Sequence, residues 1–140
     1  MEKLRSKRVG QVMSPRLWAV DGETTAGEVE RLFVSRRLSS VPVLDRAGRL
    51  FGVLSAADLL RLHAEKKNLH RTQAWEICGY RAIKVSSDTS LADVAGLMVK
   101  KRIHHVAVVD FGVLKGIVSA MDLVEQIAIL AADVPAIPKR

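Results

Sequence analysis

The stretch IHHVAVVDFGVLKGIVSAMDLV, residues 103–124, decides the fold of this chain. An apolar run ends at Asp110, Gly112 permits the chain to reverse, and a second apolar run ends at Ser119. Runs of this kind separated by a turn residue are typical of paired strands, and Ser is a common helix-capping residue. The stretch therefore predicts a strand, a tight turn, a second strand and the start of a helix.

The chain contains this pattern twice. GVLSAADLL at 52–60 matches GIVSAMDLV at 116–124, and VPVLD at 41–45 matches VAVVD at 106–110. Matches at an offset of 65 residues extend further back, through Val20 and Val85, Thr24 and Thr89, Val29 and Val94, Leu32 and Leu97, Val34 and Val99, and Arg37 and Arg102. Self-similarity at a fixed period indicates a duplicated structural unit. We expect two strand-helix-strand-strand-helix repeats of a mixed α/β (α+β) class, related by a pseudo-twofold axis. The first strands should be residues 17–20 and 82–85, and the helix capped by Ser55 should continue to about Asn68. Val12 and Met13, which lead into the first repeat, match Ile77 and Cys78 at the start of the second.

Length and composition fit one folded module over residues 1–140, with repeats at 9–68 and 74–131. Of the 140 residues 49% are apolar and 4% aromatic, so Val, Leu, Ile and Ala should fill the interior. The net charge of +7 favours anionic partners such as nucleotides, nucleic acid or acidic lipids. The basic residues are scattered rather than gathered in one stripe, so a nucleic-acid role is possible but not favoured.

Cysteine count and hydropathy indicate a cytoplasmic protein. Cys78 is the one cysteine, which excludes an internal disulfide and suits a reducing compartment. No apolar run approaches the roughly 18 residues that a membrane span needs, so no membrane association is expected. The chain carries no phosphate-binding Gly-rich loop, no metal-ligand cluster and no nucleophile with an evident base. We therefore expect no enzyme activity, no metal and no catalytic cofactor.

The duplicated motif resembles a tandem pair of CBS domains, also called a Bateman module. The resemblance covers residues 9–127 and rests on two copies of Gly-apolar-apolar-Ser-x-x-Asp, Gly52–Asp58 and Gly116–Asp122, each preceded by an apolar strand that ends in Asp. The sequence Lys101-Arg102-Ile103-His104-His105 is similar to the corresponding part of the gamma subunits of AMP-activated kinase. The resemblance implies a regulatory, energy-sensing module that binds adenine nucleotide, AMP first, with ADP, ATP or S-adenosylmethionine as alternatives. It also implies a disc-like homodimer and signal transduction to a target protein that the sequence does not identify.

In such a pair, two clefts between the repeats bind ligand, and each cleft takes its Asp from one repeat and its first strand and basic corner from the other. By that rule the first cleft contains Ser55, Asp58, Ala82, Ile83, Ile103, His104 and His105. The second contains Leu17, Trp18, Leu38, Ser39, Ser40, Ile117, Ser119 and Asp122. An ionised carboxylate can accept both ribose hydroxyls, and His side chains can contact phosphate.

The two clefts depart from the family pattern in different ways. Ser39 and Ser40 replace a basic pair, so the second cleft should prefer an uncharged nucleoside or stay empty. His105 stands where the kinase subunits have Arg, and His loses its charge near neutral pH. Phosphate affinity in the first cleft should therefore fall as the pH rises.

Two functional readings remain open on the sequence. Ser-x-x-Asp is also an ordinary helix-capping pattern, in which case the two Asp residues are structural. The first reading is a free-standing nucleotide sensor, since no output domain accompanies the repeats within this sequence. The second is a ligand-independent dimerisation or interaction module, or a basic nucleic-acid-binding protein.

Overall fold

The computed structural model describes residues 2–13, 18–78 and 83–132. These residues form helices, strands and one 3-10 helix in the predicted order. The helices are α1 Glu2–Ser6, α2 Ala26–Arg36, α3 Ala56–Ala64, α4 Ala74–Ile77, α5 Leu91–Lys101 and α6 Ala120–Ala132, and the 3-10 helix is Val9–Gln11. The strands are β1 Val20–Asp21, β2 Ser40–Leu44, β3 Leu50–Ser55, β4 Lys84–Val85, β5 His105–Asp110 and β6 Val113–Ser119. The strand-helix-strand-strand-helix order of both repeats and the α+β class are confirmed.

The chain divides into two compact units. The first-repeat unit is Leu17–Ala82, and the second-repeat unit combines Met1–Arg16 with Ile83–Arg140. Each unit contains one three-stranded sheet, in the order β1-β2-β3 or β4-β5-β6. In both sheets the first pair of strands is parallel and the second pair is antiparallel, as a hairpin requires.

A glycine with positive φ lies in each hairpin turn, and one of them is Gly112, which the sequence predicted as a turn residue. Gly112 has φ 78° and follows Phe111 at φ 50°, so two consecutive turn residues occupy the left-handed region. Gly48 also has φ 78°, and the Asp45 carboxylate accepts hydrogen bonds from the backbone N–H groups of Ala47 and Arg49 at 2.9 Å. Turns that match the twist of a hairpin demand such positive φ values.

Helix α2 and helix α5 are equivalent in sequence position and in construction. The Thr25 hydroxyl accepts a hydrogen bond from the N–H of Glu28 at 3.2 Å, and the Ser90 hydroxyl accepts one from Asp93 at 3.1 Å. Each helix ends at an arginine in the left-handed conformation, Arg37 or Arg102. Side-chain capping at the start and a left-handed residue at the end satisfy backbone groups that a helix leaves unpaired.

Each repeat's lead-in segment packs on the helix of the other repeat. Arg8 forms an isolated antiparallel bridge with Ser90, and Gln73, which is 65 residues after Arg8, forms the same bridge with Thr25. The N–H of Leu91 donates to the carbonyl of Lys7 at 3.0 Å. The N-terminal segment therefore completes the second-repeat unit, and residues around Gln73 complete the first-repeat unit.

Apolar side chains fill a separate cluster in each unit. In the first-repeat unit the fully or nearly fully buried members are Ala26, Val29, Phe33, Val41, Val43, Leu54, Leu59, Leu62, Ala74 and Cys78. In the second-repeat unit they are Val9, Val12, Leu91, Val94, Met98, Val106, Val108, Val118 and Leu123. The prediction of an aliphatic interior is confirmed, since Phe33 is the one aromatic residue among these buried members.

Two sequence-based boundaries need correction. Helix α3 ends at Ala64 rather than near Asn68, and Lys66 has φ 57°, which takes the chain out of the helix. The first strands are shorter than expected, since their described parts start at Val20 and Lys84. Leu17 and Ala82, where these strands were expected to begin, lie outside the described residues.

Candidate functional site

The two Ser-x-x-Asp motifs lie where a strand passes directly into a helix. Ser55 ends β3 and caps α3, and Ser119 ends β6 and precedes α6. The Asp58 carboxylate accepts the backbone N–H of Ser55 at 2.8 Å, and the Asp122 carboxylate accepts that of Ser119 at 2.8 Å. A carboxylate at the third helical position that bonds back to the cap residue is the capping-box arrangement.

The hydroxyl groups of the two motifs differ. The Ser55 hydroxyl donates to Asp58 Oδ2 at 3.1 Å, whereas the Ser119 hydroxyl accepts the backbone N–H of Asp122 at 3.0 Å. Asp58 Oδ2 therefore accepts two bonds from Ser55. Both carboxylates are held in place by their own motif.

In the first-repeat unit, three further candidate residues lie beside the Ser55 motif. Ser40 pairs with Ser55 across the β2–β3 ladder, and the N–H of Ala56 donates to the carbonyl of Ser39 at 2.9 Å. Leu38, which precedes them, is partly buried against the core. The entry to the central strand and the start of helix α3 are therefore adjacent.

The second-repeat unit repeats this geometry with histidines in place of the serines. His105 pairs with Ser119, and the N–H of Ala120 donates to the carbonyl of His104 at 2.8 Å. Ile103 packs against the apolar cluster of this unit, and Ile117 pairs with Ala107 on the ladder. The candidate basic corner therefore lies next to the Ser119 motif of its own unit.

Two candidate residues, Trp18 and Ile83, lie just before the first strands β1 and β4. The Ile83 carbonyl accepts the N–H of Ala107 at 2.9 Å. Trp18 is partly buried against the first-repeat cluster, and the Arg36 guanidinium lies 4.4 Å from the centre of the Trp18 ring. At this distance a cation–π contact forms, so one face of the Trp18 ring is already in use.

Each unit brings together members of both predicted clefts. Trp18, Leu38, Ser39 and Ser40 lie in the same unit as Ser55 and Asp58, and Ile83, Ile103, His104 and His105 lie in the same unit as Ile117, Ser119 and Asp122. Leu17 and Ala82 lie outside the described residues. The division of these residues between two clefts stays a prediction.

A pocket opens beside Asp58 within the first-repeat unit. Its volume is about 500 Å³, and its apolar lining includes Leu62, Ile77 and Cys78. Six charged side chains line it, namely Asp58, Arg61, Glu65, Lys67, Arg71 and Glu76. The Arg61 guanidinium lies 3.3 Å from Asp58 Oδ1, on a carboxylate side chain that is 15% exposed. Sequence reasoning missed Arg61. A comparison of the two repeats could have found it, because Glu125, of opposite charge, stands at the equivalent position of the second motif.

A family model describes most of the chain. The CBS domain model matches residues 9–65 and 76–129, so it matches both repeats and well over half of the sequence. The chain belongs to the CBS domain family. CBS domain pairs are generally regulatory modules without catalytic activity.

Individual proteins resemble the chain at moderate identity. An uncharacterised protein of Methanocaldococcus jannaschii is 29% identical over 131 residues, covering 70% of this chain and 78% of that protein. The gamma-3 subunit of 5′-AMP-activated protein kinase from Bos taurus is 25% identical over 114 residues, covering 76% of this chain. The chain spans 23% of the length of that subunit. The resemblance to the gamma subunits is therefore confirmed for the repeats.

Solved CBS structures share the fold. The CBS domain pair of protein MJ0100, in complex with 5′-methylthioadenosine and S-adenosyl-L-methionine, superposes with a TM-score of 0.80. Its sequence identity is 23%, and the match covers 87% of this chain and 96% of that chain. The putative acetoin utilisation protein AcuB of Vibrio cholerae matches with a TM-score of 0.80 and 26% identity, over 91% of this chain and 95% of that chain.

Other chemistry-bearing residues of the CBS repeats are explained by structure. Cys78 is a free, buried thiol, and burial raises its pKa to about 11. His63 Nε2 lies 2.7 Å from the Glu30 carboxylate on the surface. Within residues 2–13, 18–78 and 83–132, no group of three His, Cys, Asp or Glu side chains is placed to hold a metal, and no helix is long and apolar enough to span a membrane.

Proposed function

We propose that this CBS pair is a non-catalytic regulatory module that binds an adenine nucleotide, with AMP as the preferred candidate. The observation that carries the proposal is the pair of partly buried carboxylates of Asp58 and Asp122. Each is held at a strand-helix junction by a hydrogen bond from its own Ser. A carboxylate held in one rotamer by backbone bonds is a preorganised acceptor, and preorganisation lowers the entropic cost of binding.

The bonds that Asp58 already makes leave room for a ribose hydroxyl. An ionised carboxylate offers about four lone-pair sites. Ser55 uses two of them on Oδ2 and Arg61 uses one on Oδ1. The remaining site, on a residue that lines the pocket, can accept a hydroxyl, and a ribose diol can displace the 3.3 Å contact from Arg61 to gain a second bond.

Phosphate binding by His104 and His105 is part of the same proposal. Both follow the helix α5 and lead into β5, next to the Ser119 motif. Ser39 and Ser40 occupy the equivalent positions in the other repeat and carry no charge. We therefore propose that nucleotide binds in the first predicted cleft, where His104 and His105 accompany Asp58, and that the second predicted cleft, with Ser39, Ser40 and Asp122, prefers an uncharged nucleoside.

The comparisons support adenosine ligands as the first to test. The gamma-3 subunit, similar over 76% of this chain, belongs to a kinase named for activation by 5′-AMP. The fold is the same as that of protein MJ0100, which was solved with 5′-methylthioadenosine and S-adenosyl-L-methionine. Either class of ligand presents a ribose, which is the group that the two Asp residues would recognise.

The module would act on a separate target protein, as a homodimer in a reducing compartment such as the cytoplasm. The net charge of +7 favours anionic ligands and acidic partner surfaces. The single thiol, Cys78, is unpaired and buried, which suits a reducing environment. Ligand binding would shift the population of conformations that dock on the target.

Calorimetric titration with AMP, ATP and S-adenosylmethionine tests the proposal on the wild type and on the variant Asp58→Ala. Loss of the carboxylate should weaken nucleotide binding by roughly tenfold or more, because hydrogen bonds to charged groups are worth about 1.5–3 kcal/mol. Asp93→Ala is the matched control, because Ser90 and Asp93 form a Ser-x-x-Asp cap on α5 outside the candidate site. Equal affinities for the wild type and Asp58→Ala would refute the ribose role.

A second candidate function is favoured by exposed apolar side chains at equivalent positions. Val34 and Val99 are 77% and 79% exposed, and Leu60 and Val124 are 70% and 54% exposed. Apolar side chains that recur in this way suit an interface with another protein. If the wild type binds none of the three ligands in the titration above, the ligand-independent interaction module replaces the sensor. In that case, steep salt dependence of binding to RNA or DNA would identify a nucleic-acid partner.

A further inference from the structure

We propose that the pocket beside Asp58 binds the phosphate groups of the ligand, with Lys67 and Arg71 as the principal cations and Arg61 linking them to the ribose site. This inference rests on the proposed function and adds a phosphate site within the first-repeat unit. Three observations support it: the charged side chains that line the pocket, the bonds that these side chains already make, and the contrast between the two repeats.

The cationic side chains that line the pocket have N–H groups available to bind a ligand. Lys67 and Arg71 line the pocket, and their side chains make no hydrogen bond or ion pair with any other described residue. Arg61 makes one contact, at 3.3 Å to Asp58 Oδ1, and its side chain is 63% exposed. Three cationic side chains around one concave surface are the donor set that phosphate requires, and Arg can bind phosphate through two parallel bonds.

The carboxylates of the pocket are mostly engaged. Asp58 accepts the N–H of Ser55 at 2.8 Å, and Glu76 accepts the N–H of Gln73 at 2.8 Å. Glu65 follows the last residue of α3 and is the third acidic residue of the wall. The formal charges of the wall sum to zero, but two of its three negative charges are stabilised by backbone donors at helix starts. The unpaired donors of Lys67 and Arg71 therefore favour an anionic ligand in the pocket.

The second-repeat unit lacks most of this cationic wall. Ser6 stands at the position of Arg71, and Lys7, at the position of Thr72, keeps one cation there, whose Nζ donates to Gln126 Oε1 at 3.4 Å. Glu125 stands at the position of Arg61, and Ala131 stands at that of Lys67. A Glu three residues after Asp122 adds negative charge on the same helix face, which disfavours a phosphate there. The two Asp residues should thus select different ligands, an anionic nucleotide at Asp58 and an uncharged nucleoside at Asp122.

The pocket also has the right size. Its volume of about 500 Å³ falls within the range of small-molecule sites, roughly 300–1,000 Å³. Leu62 and Ile77 add apolar surface to the charged lining. A short phosphate chain fits this space beside a ribose at Asp58.

The test compares AMP with adenosine by calorimetry, in the wild type and in the double variant Lys67→Ala/Arg71→Ala. We expect AMP affinity to fall by roughly tenfold or more, because charge-assisted hydrogen bonds are lost, while adenosine affinity stays within about twofold. The variant keeps Arg61 and Asp58, so the ribose site is intact. Arg49→Ala is the control, because Arg49 is an exposed cation of the same unit that does not line the pocket, and it should leave both affinities unchanged.

The outcomes separate this inference from the proposed function. Equal losses for AMP and adenosine, or no loss for either, would overturn the phosphate site while adenosine binding by the wild type still supports the ribose site. If the wild type binds neither AMP nor adenosine, the proposed function fails. Titration with inorganic pyrophosphate then tests whether the pocket binds phosphate. Pyrophosphate binding that the double variant loses and Arg49→Ala keeps would support a phosphate site without a nucleoside, and no binding to the wild type would overturn it.

Discussion

The charge of the Asp110 carboxylate stabilises the fold at the end of β5. Its Oδ1 accepts the backbone N–H of Ser87 at 3.0 Å, which ties the end of β5 to the turn before α5. Hydrogen bonds from Ser87, the side chain first and then the backbone, lower the pKa of Asp110 from its usual 3.8, and Lys115 adds a smaller effect. The folded state therefore favours the ionised carboxylate more than the unfolded state does.

This preference predicts how Asp110→Asn changes stability with pH. The stabilisation is complete above the unfolded-state pKa near 3.8 and is lost as the pH falls through the lower folded-state pKa. Urea unfolding should show a less stable variant at pH 7 and a difference that shrinks below about pH 4. A difference that is the same at pH 7 and pH 3 would show that the charge of Asp110 does not matter.

At the residue scale, the sequence identified the motif but not its surroundings. Ser55, Asp58, Ser119 and Asp122 were readable because the chain repeats them in register. The contact between Arg61 and Asp58 was also within reach, since positions three apart on a helix are neighbours. The 2.7 Å contact of His63 with Glu30 was not, because it joins two helices whose packing the sequence pattern does not fix.

Gly10 and Gly96 show, at the scale of an element, why the same substitution can have opposite effects. The backbone of Gly10 in the 3-10 helix lies against Ser87, and an added Cβ would sit 2.9 Å from Ser87 Cβ and 3.1 Å from its carbonyl oxygen. Gly96 lies inside helix α5, and an added Cβ there meets nothing within 4 Å.

We therefore predict that Gly10→Ala is destabilising and Gly96→Ala is stabilising. Overpacking costs about 1–3 kcal/mol, whereas Ala in place of Gly inside a helix gains about 0.5–1 kcal/mol. Denaturant midpoints of the two variants and the wild type measure both effects. A midpoint for Gly10→Ala at or above that of the wild type would mean that the segment before Val12 does not pack closely on the turn at Ser87.

The early end of helix α3 illustrates where element prediction failed. The stretch after Ala64 contains no Gly or Pro, and Asn68 is its first residue typical of a helix end, so the pattern placed the end of the helix there. The chain leaves the helix because the carbonyls of Leu69 and Thr72 accept the N–H groups of Gly27 and Ala26, at 3.1 and 2.8 Å. Those N–H groups at the start of α2 need acceptors, and a longer α3 would take the loop away from them.

At the scale of the whole molecule, the repeat predicted two equal units but not which segments build them. Val12 and Met13 were matched to Ile77 and Cys78 as lead-in segments of their own repeats. The structure instead packs Val9 and Val12 in the second-repeat cluster and Cys78 in the first-repeat cluster. Sequence periodicity reports which residues are equivalent, and two equivalent segments can exchange places without changing any pattern.

This exchange predicts the effect of removing the N-terminal segment. Deleting residues 1–13 takes Val9 and Val12, which are 0% and 4% exposed, out of the second-repeat cluster, and it removes the bonds from Val9 and Gly10 to Thr89 and Ser87. Losing two buried valines should cost several kcal/mol, about 1.5–3 kcal/mol each. Hydrogen exchange should therefore accelerate in β5 and β6, which belong to the second-repeat unit, more than in β2 and β3. The variant Val9→Ala should produce the same ordering more weakly, and faster exchange in β2 and β3 than in β5 and β6 would mean that the segment supports its own repeat instead.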